Sequence, residues 1–267
     1  MKTSENFGSQ GEPPSHPELL DWLASEFRET GWRWKHVHRL IVTSAAYRQS
    51  SHAREDLARR DPENRLLARQ LRLRLPAELI RDSALVAAGL LSPEVGGKSV
   101  RPPQPAGVSD WQASEGSDKY RRGVYVQLYR NKPYPFLANF DAPSGYAPVC
   151  RRLRSNTPLQ ALNLLNDPVF IEASRALAVR AAGRGGDFLS RLDYVFRLCL
   201  GRRPSHEEVE DQRAYLAAQQ RLLDRDPAAP HSIAPSELTG SMPQVDLAAW
   251  AGLASVLLNT DEFITRE

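Results

Sequence analysis

The sequence predicts a mainly α fold, a multi-helix orthogonal bundle with one short strand or hairpin and long Pro/Gly-rich loops. Three observations predict it. Apolar residues recur at helical spacing along most of the chain. Several of these runs open on a capping residue followed by Pro, or by Glu or Gln three positions on, the chemistry of a helix start. Only one stretch, Gly123 to Tyr129, is dense in β-branched and aromatic residues.

Ser15 and Glu18 read as a capping box with Pro17 in the first turn; Leu19, Leu20, Trp22, Leu23 and Phe27 then give an apolar helical face that Gly31 closes. Trp34, Val37, Ile41 and Ala45 mark a second helix to about Tyr47, so the first fifty residues read as a helical hairpin. Glu63 to Gly89 is a third helical stretch, interrupted at Pro76, with Ala77 to Ala88 its firmer half. Residues 92–119 carry Gly96, Gly97 and three prolines between Arg101 and Pro105, and read as a loop. Gly123 to Tyr129 is the expected strand, and Asn131 to Pro148 an irregular, packed segment. Helices resume at Thr157 with Pro158 and Gln160, at Asp167 with Pro168, and at Ser205 with Glu208. Phe188, Leu192, Phe196, Cys199 and Leu200 share one helical face, as do Val209 and Leu216 in the next helix. Residues 224–246 read as a linker, and Leu247, Trp250, Ala251, Ala254 and Leu258 as the last amphipathic helix. One helical domain over 1–267 is expected, with Trp22, Leu23, Ile41, Leu79, Leu162, Phe196 and Trp250 in its core.

Composition narrows the function classes. Hydrophobic residues at 41% and charged residues at 25% are ordinary for a globular chain, and 267 residues bury a core without staples. Basic and acidic side chains, 35 against 32, are spread along the length, so nucleic acid is not an expected partner. No apolar run approaches the roughly 20 residues that span a bilayer, and no membrane span is expected. The two cysteines, Cys150 and Cys199, form neither CxxC nor CxxCH, so no covalently attached haem and no other cofactor is expected in this chain. His36 and His38, two apart on a helix, point to different sides, and no HExxH spacing occurs; no metal is assigned. GxSxG, P-loop and GxGxxG motifs are missing too.

Two clusters remain as candidate sites. Arg74, Glu78, Arg81 and Asp82 surround the start of one helix, where Glu78, Arg81 and Asp82 share a face; the two carboxylates could share a proton or hold a metal, or the group could simply brace the helix in an ion-pair network. In the central segment Arg121, Arg122, Arg130, Asp141, Arg151, Arg152 and Arg154 alternate with Tyr125, Tyr129, Tyr134 and Phe136. Guanidinium forks beside aromatic faces suit anionic groups on a polymer, and they equally suit a buried lattice that locks a proline-rich loop. Cys199, on an apolar face, is expected to be a buried inert thiol; Cys150, beside two arginines, could have a lowered pKa or only pack.

The stretches GEPPSHPELLDWLASEF, KHVHRLIVTSAAYRQSS, RLPAELIRDSALVAAGLL followed by VGGKSV, YRRGVYVQLYRNKPYPFLANFDAP, RRLRSNTPLQALNLLNDPVF and LNTDEF occur in that order. Together they resemble the planctomycete cytochrome-associated domain, also called the domain of unknown function numbered 1553. The resemblance begins inside the family pattern, at Asn6, Phe7 and Gly8, and implies that an initial helix and everything upstream are missing. It also implies a place near the C-terminal end of a large exported protein, periplasmic or extracellular, behind a haem c domain and a second domain of unknown function. The expected function is therefore a non-catalytic accessory or interaction module with those two domains as partners. The alternative is an extracytoplasmic enzyme acting on carbohydrate or another anionic polymer, with Glu78 and Asp82 as acid and base and the arginines gripping the anionic groups. An anionic polysaccharide is the further candidate partner.

Overall fold

The structure, a computed structural model, describes residues 3, 6, 9–52, 54–105, 107, 112–234 and 242–266. Phe7 and Gly8, and residues 106, 108–111 and 235–241 of the two expected loops, lie outside the described residues. The described chain is mainly helical, as the sequence predicts, and divides into two compact units: residues 1–73 with 148–152 and 266–267, and residues 74–147 with 153–265.

In the N-terminal unit, α1 (Pro17–Glu29) and α2 (Trp34–Thr43) form the expected hairpin. The chain reverses through left-handed backbone at Gly31 and Trp32, and the Phe27 ring fills the seam, 5.2 Å from Trp32 and 4.7 Å from Trp34. The expected Ser15 cap is not made. His16 is the N-cap residue, one position nearer the helix, and the Ser15 hydroxyl contacts the His16 ring instead. After α3 (Glu55–Arg60), Asp61 accepts from the amides of Arg65 and Leu66, while the Asn64 side chain pairs with the backbone of Arg69. Asn64 and Leu67 both have positive φ, a conformation no right-handed helix contains, so the helix expected from Glu63 stops being possible before Pro76. None of α1 to α3 holds a buried residue, and Trp22 and Ile41 are 51% and 40% exposed, against the expectation that they are core. A two-helix hairpin has one seam, and here Phe27 and its two tryptophans occupy it.

The second unit is built from α4 (Ala77–Ala88), α5 (Pro135–Asn139), α6 (Pro158–Asn166), α7 (Pro168–Arg184), α8 (Phe188–Leu200), α9 (His206–Leu223), α10 (Ala229–Ile233), α11 (Gln244–Leu258) and α12 (Asp261–Ile264). Three starts use the predicted chemistry: Thr157 with Gln160 and Ser205 with Glu208 form complete capping boxes, and Asp167 accepts from the Val169 amide at 2.9 Å. Helix α11 is apolar almost all round and accordingly packs against α7, α8 and α9, burying Leu247, Trp250, Leu253 and Leu257. A Cβ on Gly252 would lie 3.0 Å from the Tyr215 hydroxyl, so the missing side chain lets α9 and α11 approach.

Helices α4 and α7 meet through small residues, Ala77, Ala84 and Ala88 against Phe170 and Ala173, with Ile80, Tyr134, Phe136, Phe140 and Leu164 around them. Phe196 and Trp250 are core as expected. Leu79 and Leu162 are not; both lie on the outer faces of their helices, 44% and 54% exposed. On α4 the face that carries Ala77, Ile80, Ala84, Leu85 and Ala88 turns inward, and Leu79 and Val86 face out; the alanines on the inner face allow closer helix contact.

The short strand pair is β1 (Leu73–Arg74) with β2 (Thr265–Arg266), not the expected Gly123–Tyr129. That segment is a 3₁₀ turn over Gly123–Tyr125 followed by a single bridge between Val126 and Val100. A Cβ on Gly123 would sit 2.8 Å from that of Glu78, and the Gly123 amide is given to Asp82, so the segment docks on α4 instead of extending a ladder.

Candidate functional site

The residues singled out around α4 do come together with the central segment, through backbone groups. Arg81, fully buried on the inner face of α4, donates to the carbonyls of Arg121 and Lys119 at 2.7 Å each and lies 3.7 Å from Asp82. Its Nε is a buried donor with no partner among the described residues. Asp82, one residue on, accepts the Gly123 amide at 2.6 Å, and the half-exposed Arg122 guanidinium stands 3.8 Å from its other oxygen. Burial raises the Asp82 pKa above the usual carboxylate value, against the opposing Gly123 bond and the two guanidiniums. Glu78 is half-buried one turn earlier, so Glu78 and Asp82 share one helix and do not face each other across a cleft.

Close to Arg81 lies Asp167, whose sequence signal is that of a helix cap. Asp167 is 2% exposed, receives the Val169 amide, and receives the Tyr134 hydroxyl at 3.3 Å. Burial pushes its carboxyl up to about 6, although Val169, Tyr134 and Arg81 all favour the charged form. Burial and the neighbouring Asp167 together push the enclosed Tyr134 phenol well above its ordinary value. Asp167 followed by Pro168 was legible as a cap; its place under Arg81 required the fold.

A second constellation surrounds Arg74, whose guanidinium donates to Asp141 at 2.5 Å and to the carbonyls of Ser155 and Phe140, and lies over the Phe140 ring. Asp141, at positive φ, accepts from both the amide and the hydroxyl of Ser155, and Gln160 ties Ser155 to the Asn139 carbonyl. Burial would raise the Asp141 pKa, but the Ser155 bonds and Arg74 outweigh it and hold the carboxyl below its ordinary value. Nothing in the spacing of Arg74, Asp141, Ser155 and Gln160 announces this arrangement.

The remaining candidates divide. Arg121 reaches the Gly96, Glu94 and Lys98 carbonyls and stacks 4.2 Å from the centre of the Tyr125 ring, while the Tyr125 hydroxyl accepts the Gly96 amide. These two residues therefore fasten the 94–98 turn. Arg122 is half-exposed and Arg130 is exposed. Arg151 and Arg152 are exposed and belong to the N-terminal unit. Cys199 has its thiol pushed up to about 12 by burial, and Cys150 is exposed. His36 bonds Glu26 at 2.7 Å. Among the described residues no group of three or more His, Cys, Asp or Glu is placed to share a metal ion, and no helix is long and apolar enough to cross a membrane.

Chemically, this centre is a scaffold of guanidiniums bonded to carbonyls and carboxylates bonded to amides. It stitches residues 94–98, 119–125, 139–141 and Ser155 onto the helices around α4. Two shallow depressions lie elsewhere: one of about 310 Å³ lined by Val42, Tyr47, Arg48, Gln49, Gln70 and Arg266, and one of about 480 Å³ lined by Arg180, Gly183, Arg184 and Tyr194. Neither includes Glu78 or Asp82.

No curated protein and no solved structure matches the chain significantly. The family model described as PSD1, protein of unknown function (DUF1553), matches residues 1–216, four fifths of the length, and the chain belongs to that family.

Proposed function

We propose that this chain is a non-catalytic accessory or interaction module of a larger exported protein, acting beside an upstream haem c domain and a second domain of unknown function. The observation that carries the reading is the use made of the charged centre. Asp82 is spent on the Gly123 amide, Asp141 on Ser155 and Arg74, and Arg81 on two carbonyls, so the groups that a hydrolase would aim at a substrate hold backbone instead. The exported location and the haem-bearing partner rest on the sequence resemblance alone. Anionic polysaccharide is the partner chemistry that suits the exposed Arg130 and the half-exposed Arg122 beside Asp82.

The test is chemical crosslinking of the full-length parent protein with mass-spectrometric mapping. Crosslinks between lysines of this chain and the haem domain are expected, and a full-length protein that yields none would sink the proposal. Hydrolysis of a polysaccharide by the purified chain, lost in Glu78→Gln while the melting temperature holds, would replace it with the enzyme reading.

A further inference from the structure

Residues 33–72 carry ten Arg and Lys against four Asp and Glu, a net of +6, while the whole chain is only +3. The positive charge is therefore locally dense over residues 33–72, while residues 1–32 of the same N-terminal unit carry two Arg and Lys against six Asp and Glu. Within that unit lies the depression of about 310 Å³ between Tyr47, Arg48, Gln49, Gln70, Val42 and Arg266.

Its floor is fixed by side-chain amides. Gln49 donates to the Leu67 carbonyl at 2.8 Å, Gln70 donates to the Tyr47 carbonyl at 3.1 Å and returns its own oxygen to the Leu71 amide, and the Gln70 amide bonds Ser50. Residues 47–50 and 67–71 are thus cross-braced, and their polar groups are spent on one another. Two guanidiniums are not. Neither Arg48 nor Arg266 has a carboxylate partner among the described residues, and no acidic side chain is among those that line the depression. Arg266 stands 5.9 Å from the centre of the Tyr47 ring. Like charges sharing one concavity repel, an arrangement that an anion between them relieves.

We propose that this depression is a binding site for a monosaccharide-sized ligand bearing an oxyanion, such as a sugar acid or a sugar phosphate. The volume sits at the small end of ligand cavities, about 300 to 1,000 Å³, and suits one ring, not an extended chain. Arg48 and Arg266 supply forked donors for the oxyanion, and the exposed Tyr47 ring with Val42 supplies a face for the sugar. The site does not depend on the accessory role proposed above.

The experiment is isothermal titration of the purified chain with glucuronate, glucose 6-phosphate, inorganic phosphate and glucose. Both anionic sugars should saturate with Kd on the order of 1 mM and weaken as salt is raised, as an open site with two charge-assisted contacts would give. Glucose and inorganic phosphate should each bind at least about tenfold more weakly, since each lacks one of the two recognised features. Arg48→Gln with Arg266→Gln should cost at least about tenfold in affinity for both anionic sugars at an unchanged melting temperature, because both side chains are exposed. Arg48→Gln alone, outside every strand, repeats the test without touching β2. Three results would overturn the proposal: no saturable binding of either anionic sugar up to about 20 mM, equal affinity in the double variant, or phosphate binding as tightly as the sugars, which would mean an adventitious bare-anion site.

Discussion

Replacing Asp167 by Asn removes one ionisable group from beneath Arg81 while keeping an oxygen for the Val169 amide, so it isolates the charge. The Asp167 carboxyl titrates at about 6 in the fold against an ordinary 3.8. At 1.36 kcal/mol per pH unit, that difference is worth about 3 kcal/mol. Because the folded value is the higher one, the native state holds the proton more tightly than the unfolded chain. The contribution is therefore fully present below about pH 4, declines as pH rises toward 6, and is gone above it. Asp82, raised in the same direction, adds to the trend, whereas carboxyls held low, such as Asp141 and Glu208, lose their contribution only below about pH 4.5. Urea unfolding followed by far-ultraviolet circular dichroism at steps between pH 4.5 and 7.5 is the assay. The wild type should become more stable on acidification across this window, and Asp167→Asn should flatten most of that slope and match or exceed the wild type at pH 7.5. A stability difference between the two proteins that is the same at pH 5 and pH 7.5 would refute the reasoning, since it would mean that Asp167 titrates alike in both states.

Asp82→Asn should cost under about 1 kcal/mol, because the amide still accepts the Gly123 N–H and burial already disfavours the charge, whereas Asp82→Leu strands that donor and should cost about 2 to 3 kcal/mol. Equal melting temperatures for the two variants would contradict this. Asp141→Asn, which keeps a residue that tolerates positive φ, should lose about 3 kcal/mol at pH 7 by leaving Arg74 buried without its counter-charge. Its deficit in denaturant titrations should shrink below pH 4, where the wild-type carboxyl also becomes neutral; a deficit independent of pH would argue against the pair. Gly123→Ala forces a methyl against Glu78 and should lower stability by about 1 to 3 kcal/mol, read as a drop in melting temperature. Arg202→Ala breaks the fork to Glu208 and Glu262 but, with the arginine 41% exposed, should cost only about 1 kcal/mol, and less in high salt.

The helices of the second unit were legible because their signals are local. Thr157 with Gln160, Ser205 with Glu208 and Asp167 with Pro168 satisfy their own helix ends within three residues, and those bonds form whatever the rest of the chain does. The apolar run from Leu247 to Leu258 has no polar face to turn to water, so its burial was likewise written into it. Local signals also misled. Ser15 and Glu18 have capping-box spacing, yet the helix begins beyond Ser15. The β-branched residues of Gly123–Tyr129 read as a strand because β propensity registers a fit to a half-buried surface, which the Glu78 and Asp82 side of α4 provides as well as a neighbouring strand would.

The sequence by itself determined a helical chain, where most of its helices begin, and which residues carry charge. Only the tertiary structure decided which face of each helix is inside, because amphipathicity gives a direction but not the neighbour that makes one direction better. On α4 the alanines won over Leu79 since they admit α7 at close range. The charged centre was decided the same way. Arg81, Asp82 and Asp167 meet across separations of up to 86 residues, and their partners are chiefly backbone carbonyls and amides, which every residue possesses and no side-chain pattern advertises.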